Sequence, residues 1–211
     1  DAAFTNLSLD EKSFKKGHKY VSVLSSPLGG VIIDVVEGRD KKATKELLEK
    51  VIAPEHRDSV KTVSVDMWKA YLTSVEEVLP NAKIVHDRFH LIKYLNEAID
   101  KVRRREVKHH EGLKNSRFVL LKNKMNLTDK QQIIFEHIQA SNYEVSRAWR
   151  VRENFKDIFG TASINEAFSL FIKWSASVLN TNIKELIKVA KMFNNHLKGV
   201  CNALTTSFSN A

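Results

Sequence analysis

The sequence predicts a mixed α/β fold, a five-stranded sheet followed by an all-helical lobe, and three observations predict it. Alternating and β-branched runs joined by short polar links fill positions 4–38, as in an antiparallel meander of three strands. A helical pattern at 40–53 separates the third run from a fourth at 62–66, and a strand, a helix and a strand in that order form a crossover between parallel strands. After a fifth run at 82–87, every periodic segment is helical.

Each element follows from its residues. FTNLSLDEKSF, positions 4–14, alternates apolar and polar through Leu7 and Leu9 and then delivers Asp10 at a strand's carboxyl end. A polar bend containing Gly17 leads into KYVSVLSS, positions 19–26, and Pro27, Gly29 and Gly30 turn the chain into GVIIDVVEG, positions 30–38. Short links make these strands antiparallel neighbours, so the third runs in the direction of the first. In DKKATKELLEKVIA, positions 40–53, Ala43, Leu47, Leu48, Val51 and Ile52 recur at helical spacing until Pro54. Thr62, Val63 and Val65 then form a β-type run, too short for a helix, that ends on Asp66. In both acid-bearing runs a serine, Ser8 or Ser64, shares the acid's face while the aliphatic residues point the other way.

WKAYLTSVEEVLP, positions 68–80, reads as a helix, AKIVHD, positions 82–87, as a buried strand, and FHLIKYLNEAIDKVRRREVK, positions 89–108, as the opening of a long helix. Helical patterns recur in RFVLLKNK, DKQQIIFEHIQ, YEVSRAWRVRENFKDIF, INEAFSLFIKWSASVLN and NIKELIKVAKMFNNHLKGVCNAL. Their starts are marked by Thr128 with Asp129, Ser141 with Asn142, and Thr181 with Asn182. If the fourth strand pairs with the free edge of the first, Asp10 and Asp66 emerge side by side from chains about 4.8 Å apart. Pairing with the third strand instead separates them.

Composition narrows the class. A chain of 211 residues builds one core with an added lobe. Cys201 stands alone, so no internal disulfide forms; together with the lack of a long apolar run or a secretion signal, this points to a reducing, cytoplasmic setting. A net charge of +9 favours a polyanionic partner. Positions 101–125 hold nine Lys and Arg against two Glu, so most of the excess lies in one segment; a solvated helix face would look the same.

Two carboxylates at neighbouring strand ends suit a hard divalent cation such as magnesium, which takes oxygen ligands and keeps several waters. Two such ions about 3.5 to 4 Å apart activate a water or hydroxyl and stabilise the leaving oxygen of a phosphodiester. The plainer reading of Asp66 is a cap on the helix that follows it. Trp149, Phe155, Phe168, Phe171 and Trp174 recur at helical spacing and read as lobe core rather than base-stacking platforms.

The order of acid-bearing strands and helices is that of the ribonuclease-H-like nucleotidyltransferases, the superfamily of the retroviral integrases. LDEKSFKKGHKYVSV, EGRDKK, VSVDMWKAY, LPNAKIVHDRFHLIKYLNEAIDKVRR and HLKGVCNALTTSFSNA together resemble the DDE transposases of bacterial insertion sequences, in the ISL3 branch. The resemblance covers nearly the whole chain. It implies that Asp10 and Asp66 are the first and second catalytic acids and ligands of two magnesium ions, with manganese as a substitute. It also implies that Asp87 and His90 of HDRFH support the site, although a satisfied core histidine accounts for His90 as well.

The implied core is 1–91, and 92–211 is a helical insertion lobe whose Lys101, Arg103, Arg104, Arg105 and Lys108 contact the backbone of double-stranded DNA at transposon ends and target. The family's third acid is a Glu on a helix that would follow Ala211, so the resemblance implies a fragment lacking its final acidic helix and inactive alone. In the intact, homo-oligomeric enzyme, water would cleave at the transposon ends and the freed 3′ hydroxyl would attack target DNA. A nuclease or resolvase of the same fold, a non-catalytic DNA-binding domain derived from a transposase, and a helical scaffold with a solvated basic stretch are the rival readings.

Overall fold

The computed structural model describes residues 5–15, 19–27 and 30–205. The Gly17 bend, Gly29 and the SFSNA stretch lie outside the described residues. The chain forms two compact units, one running to His90 and resuming at His196, the other spanning Leu91–Asn195.

The first unit is built on a five-stranded sheet of order β3-β2-β1-β4-β5. Its strands are β1 (Asn6–Lys15), β2 (Lys19–Ser26), β3 (Val31–Glu37), β4 (Thr62–Val65) and β5 (Lys83–His86). β1 and β2, like β2 and β3, pair antiparallel; β4 runs parallel to β1 and β5 parallel to β4. The fold is thus the ribonuclease-H-like mixed sheet, with the fourth strand on the free edge of the first. β1 is longer than its sequence pattern suggests. β2 goes on pairing with it as far as Lys15↔Lys19, whereas β4 stops level with Leu9. Asp10 therefore sits within β1, at the level where its other neighbour ends.

Two helices complete this core. In α1 (Lys41–Val51), Asp40 caps the amino terminus by accepting from the Ala43 amide at 3.0 Å. α1 and α2 (Lys69–Val78) send Leu47, Leu48, Tyr71, Val75 and Val78 into one buried cluster with Leu7, Leu9, Leu24, Val63 and Val65. Each such burial stabilises the fold by about 1.5–3 kcal/mol. β3 departs from its aliphatic composition: it is an edge strand, and Val31, Ile32 and Val35 remain exposed. At the opposite edge, α9 (Leu197–Thr205) returns to β5, where Asn202 Nδ2 donates to the Ile84 carbonyl at 2.7 Å and satisfies an edge acceptor. The returning segment belongs with the sheet, whereas the sequence reading carries the lobe on to 211.

The second unit holds most of α3 (Arg88–Glu106), with α4 (Arg117–Leu121), α5 (Asp129–Ala140), α6 (Glu144–Lys156), α7 (Ile164–Asn180) and α8 (Lys184–Asn195). Phe155, Phe171, Trp174 and Phe193 form its aromatic centre, with ring centroids 4.7 Å apart for Phe155 and Trp174. Phe168 is exposed rather than in the core, because it falls outside the stripe formed by Ala167, Phe171, Trp174 and Val178. α5 opens with a capping box between Thr128 and Gln131. α6 starts without help from Ser141 or Asn142: the buried Glu106 carboxylate accepts from the amides of Glu144 and Val145, each at 2.8 Å. The helical run predicted from Asn182 onward is two helices, broken at His196. No helix among the described residues is long and apolar enough to cross a membrane.

Candidate active site

The site is set by register. β1 and β4 pair Ser8↔Ser64 and Leu9↔Val65, and β4 and β5 pair Val65↔His86. The next residues along these three parallel strands are Asp10, Asp66 and Asp87, so the acids form a row at one level on chains about 4.8 Å apart. Leu7, Leu9, Val63 and Val65 are buried in the cluster beneath the sheet, which leaves the alternate face to the serines and the acids.

Asp10 and Asp66 are half-buried. Asp10 Oδ1 accepts from the Glu11 amide at 2.8 Å and Asp66 Oδ1 from the Met67 amide at 2.6 Å. These local bonds fix each carboxylate against its own backbone. The position that caps α2 is taken by Trp68, which makes no side-chain cap bond.

Asp87 does cap a helix. Its Oδ1 accepts from the Phe89 amide at 2.9 Å at the start of α3. Burial raises its pKa above the usual carboxylate value, the Phe89 amide and His90 oppose that, and the charges of Asp10 and Asp66 push it further up. Three carboxylates in a row thus repel one another. His90 Nδ1 lies 3.5 Å from Asp87 Oδ2 but is buried without a hydrogen bond.

Two residues absent from the sequence reading complete the surroundings. His86 is buried on β5, its Nδ1 3.0 Å from the Val65 carbonyl. That contact makes Nδ1–H the donor and anchors the peptide that carries Asp66. His196 meets the His86 ring edge-on at 5.4 Å. Burial lowers the pKa of both histidines, and the charge of Asp66 raises both. Gly199 of α9 packs so close that a Cβ there would stand 2.6 Å from the His86 ring. The signal in sequence is slight: His86 directly precedes Asp87 at the end of a short apolar run.

Asp10 and Asp66 offer hard oxygen donors suited to magnesium or manganese, and the accumulated negative charge is what a divalent cation would relieve. Among the described residues no group of three or more His, Cys, Asp or Glu is gathered to hold a metal ion.

In the second unit the arginines predicted for DNA are engaged internally. Asp100, buried, binds Arg103 at 2.8 Å and Arg104 at 2.7 Å, with Arg117 at 3.6 Å. Burial alone would raise its pKa, but hydrogen bonds and charge from Arg103 and Arg104 hold it below the usual value. Arg105 bridges Glu144 and Glu185. Lys101 and Lys108 remain exposed.

Residues 7–211 match the sequence model of the ISL3 family, described as Transposase. The transposase of insertion sequence element IS1001 from Bordetella parapertussis is 27% identical over 202 residues, covering 92% of this chain and 50% of that protein. The transposase of IS1557 from Mycobacterium tuberculosis is 24% identical over 236 residues, covering 99% of this chain and 53% of the relative. The chain thus spans about half the length of the curated relatives it matches. With a match across nearly all of its length, the chain belongs to the ISL3 family of transposases.

Proposed function

We propose that this chain is the catalytic domain of a DDE-type transposase, with Asp10 and Asp66 as the two carboxylates that hold magnesium or manganese against a DNA phosphate. The observation that carries the reading is the register, which sets the two acids level on neighbouring parallel strands although they are far apart in sequence. When held there, a divalent cation would supply positive charge at the scissile phosphate and acidity to the attacking hydroxyl. Asp10 and Asp66 would hold it, with Val65 anchored by His86 behind one of them. Asp87, tied to the start of α3, adds negative potential rather than a free ligand. In the full-length protein the reaction is strand cleavage at insertion-sequence ends, followed by transfer of the freed 3′ end into target DNA.

The test is replacement of either acid by asparagine in the full-length protein. Asp10→Asn and Asp66→Asn should each abolish cleavage and joining in magnesium while leaving the circular dichroism spectrum unchanged. Retained cleavage by either variant removes that residue from the reaction. Supplying pre-cut ends and looking for joined products separates a transposase from a nuclease that only hydrolyses.

A further inference from the structure

One buried carboxylate in the second unit gathers more positive charge than it can balance. Asp100, on α3, has its Oδ1 bound by both Nε and Nη2 of Arg103, each at 2.8 Å, and the Arg103 side chain is only 13% exposed. That pair alone compensates the buried charge. Oδ2 nevertheless carries two further guanidiniums, Arg104 through Nη2 at 2.7 Å and Arg117, at the start of α4, through Nε at 3.6 Å. Three cations on one anion leave two positive charges in excess.

The two added arginines face solvent. Their side chains are 66% and 53% exposed, and among the described residues no other acid pairs with either. Arg117 at least joins α4 to α3. Arg104 joins nothing, since it lies on the same helix as Asp100, and an exposed pair at that spacing contributes little to stability. Both guanidiniums touch the same oxygen, so their contacting nitrogens are no further apart than the two contacts laid end to end. That separation is within the reach of one phosphate group, whose oxygens accept from a guanidinium at about 2.7–2.9 Å. Two like charges held this close repel, and an anion between them would relieve what the single carboxylate does not. The planar fork of arginine matches phosphate.

We propose that Arg104 and Arg117, aligned by Asp100, form a clamp for a single backbone phosphate of duplex DNA. Such a contact gives affinity without reading bases. It brings into the DNA surface Arg117, a residue that the sequence pattern does not single out. The inference deepens the proposed function and rests on its DNA partner, but not on the roles of Asp10 and Asp66.

The experiment measures the affinity of the full-length protein for a duplex carrying its element's end, and for an unrelated duplex, at several salt concentrations. Replacing both residues, Arg104→Gln with Arg117→Gln, should lower the slope of log affinity against log salt by about 0.9, the value for one phosphate, equally on both duplexes. Binding should weaken about tenfold, and the two single variants should not add, because they share one ligand. Arg104→Lys with Arg117→Lys keeps both charges and should restore the slope while regaining only part of the affinity. Arg103 stays on Asp100 in all of these variants, so the thermal midpoint reports whether the fold is intact. An unchanged slope in the glutamine pair, a loss of about twice 0.9 with additive singles, or failure of the lysine pair to restore the slope would each overturn the clamp. If the wild type binds with the usual salt dependence and cleavage still needs Asp10 and Asp66, only the clamp is lost. A wild type that binds neither duplex removes the DNA partner and the clamp together.

Discussion

His86 is held neutral in the fold: burial pushes its pKa from 6.5 down to about 4, His196 pushes the same way, and the Val65 carbonyl and Asp66 only partly oppose them. The unfolded chain binds a proton near pH 6.5 that the folded one refuses until near pH 4, so this contribution is complete above 6.5 and is lost as pH falls through that window. The slope is at most about 1.4 kcal/mol per pH unit. Denaturant titrations of metal-free protein on either side of the window should show it, and His86→Gln should flatten it. Asp87 has the opposite sign. Its raised pKa means that the folded state disfavours its charge, so stability declines as pH rises through its titration. Asp87→Asn retains an acceptor for the Phe89 amide and removes the repulsion from Asp10 and Asp66. Its thermal midpoint should be equal to or above that of the wild type.

At the scale of elements, α9 and β5 meet at a contact with no spare room. Gly199→Ala puts a Cβ 2.6 Å from two atoms of the buried His86 ring, and overpacking of this kind costs about 1–3 kcal/mol. Gly112→Ala is the control, since its nearest neighbour would stand at 3.7 Å, ordinary van der Waals distance. In the second unit, Glu106→Ala leaves two amides of α6 without their acceptor and should cost about 1–3 kcal/mol in a urea titration. These contacts also explain what the sequence conceals. The period that runs from Ile183 to Leu204 is unbroken, and nothing in Asn194, Asn195 or His196 forbids a helix. The break at His196 comes with α9 packing on β5, a tertiary cause. Glu106 capping a helix that begins at Glu144 is equally invisible, because sequence signals for caps are local. Alternation in β1, by contrast, directly gave Leu7 and Leu9 inward and Ser8 with Asp10 on the other face.

At the scale of the molecule, the net charge of +9 favours a polyanionic partner without saying which cations would meet it. Arg103 and Arg104 pair with Asp100 at the i,i+3 and i,i+4 spacing of one helix, which sequence can show, whereas Arg105 is committed to Glu144 and Glu185, a pairing that needs the partners' positions. Arg103→Ala should therefore act mainly on stability. Lys108→Ala should weaken DNA binding evenly across sequences and reduce the salt slope by about one, read from affinities at several salt concentrations. The pairing of the acids was legible further than the rest, since two strands of matched parity joined by a crossover leave few arrangements; only the choice of edge needed coordinates. The proposed function requires Asp10 and Asp66 to share one cation. Manganese added to isotope-labelled protein broadens amides near the ion, and Glu11 and Met67 each donate an amide to one of these carboxylates. Both signals should vanish together over the same manganese range, and either Asp10→Asn or Asp66→Asn should protect both. Broadening of one without the other, or of both undiminished in the variants, would contradict a shared site.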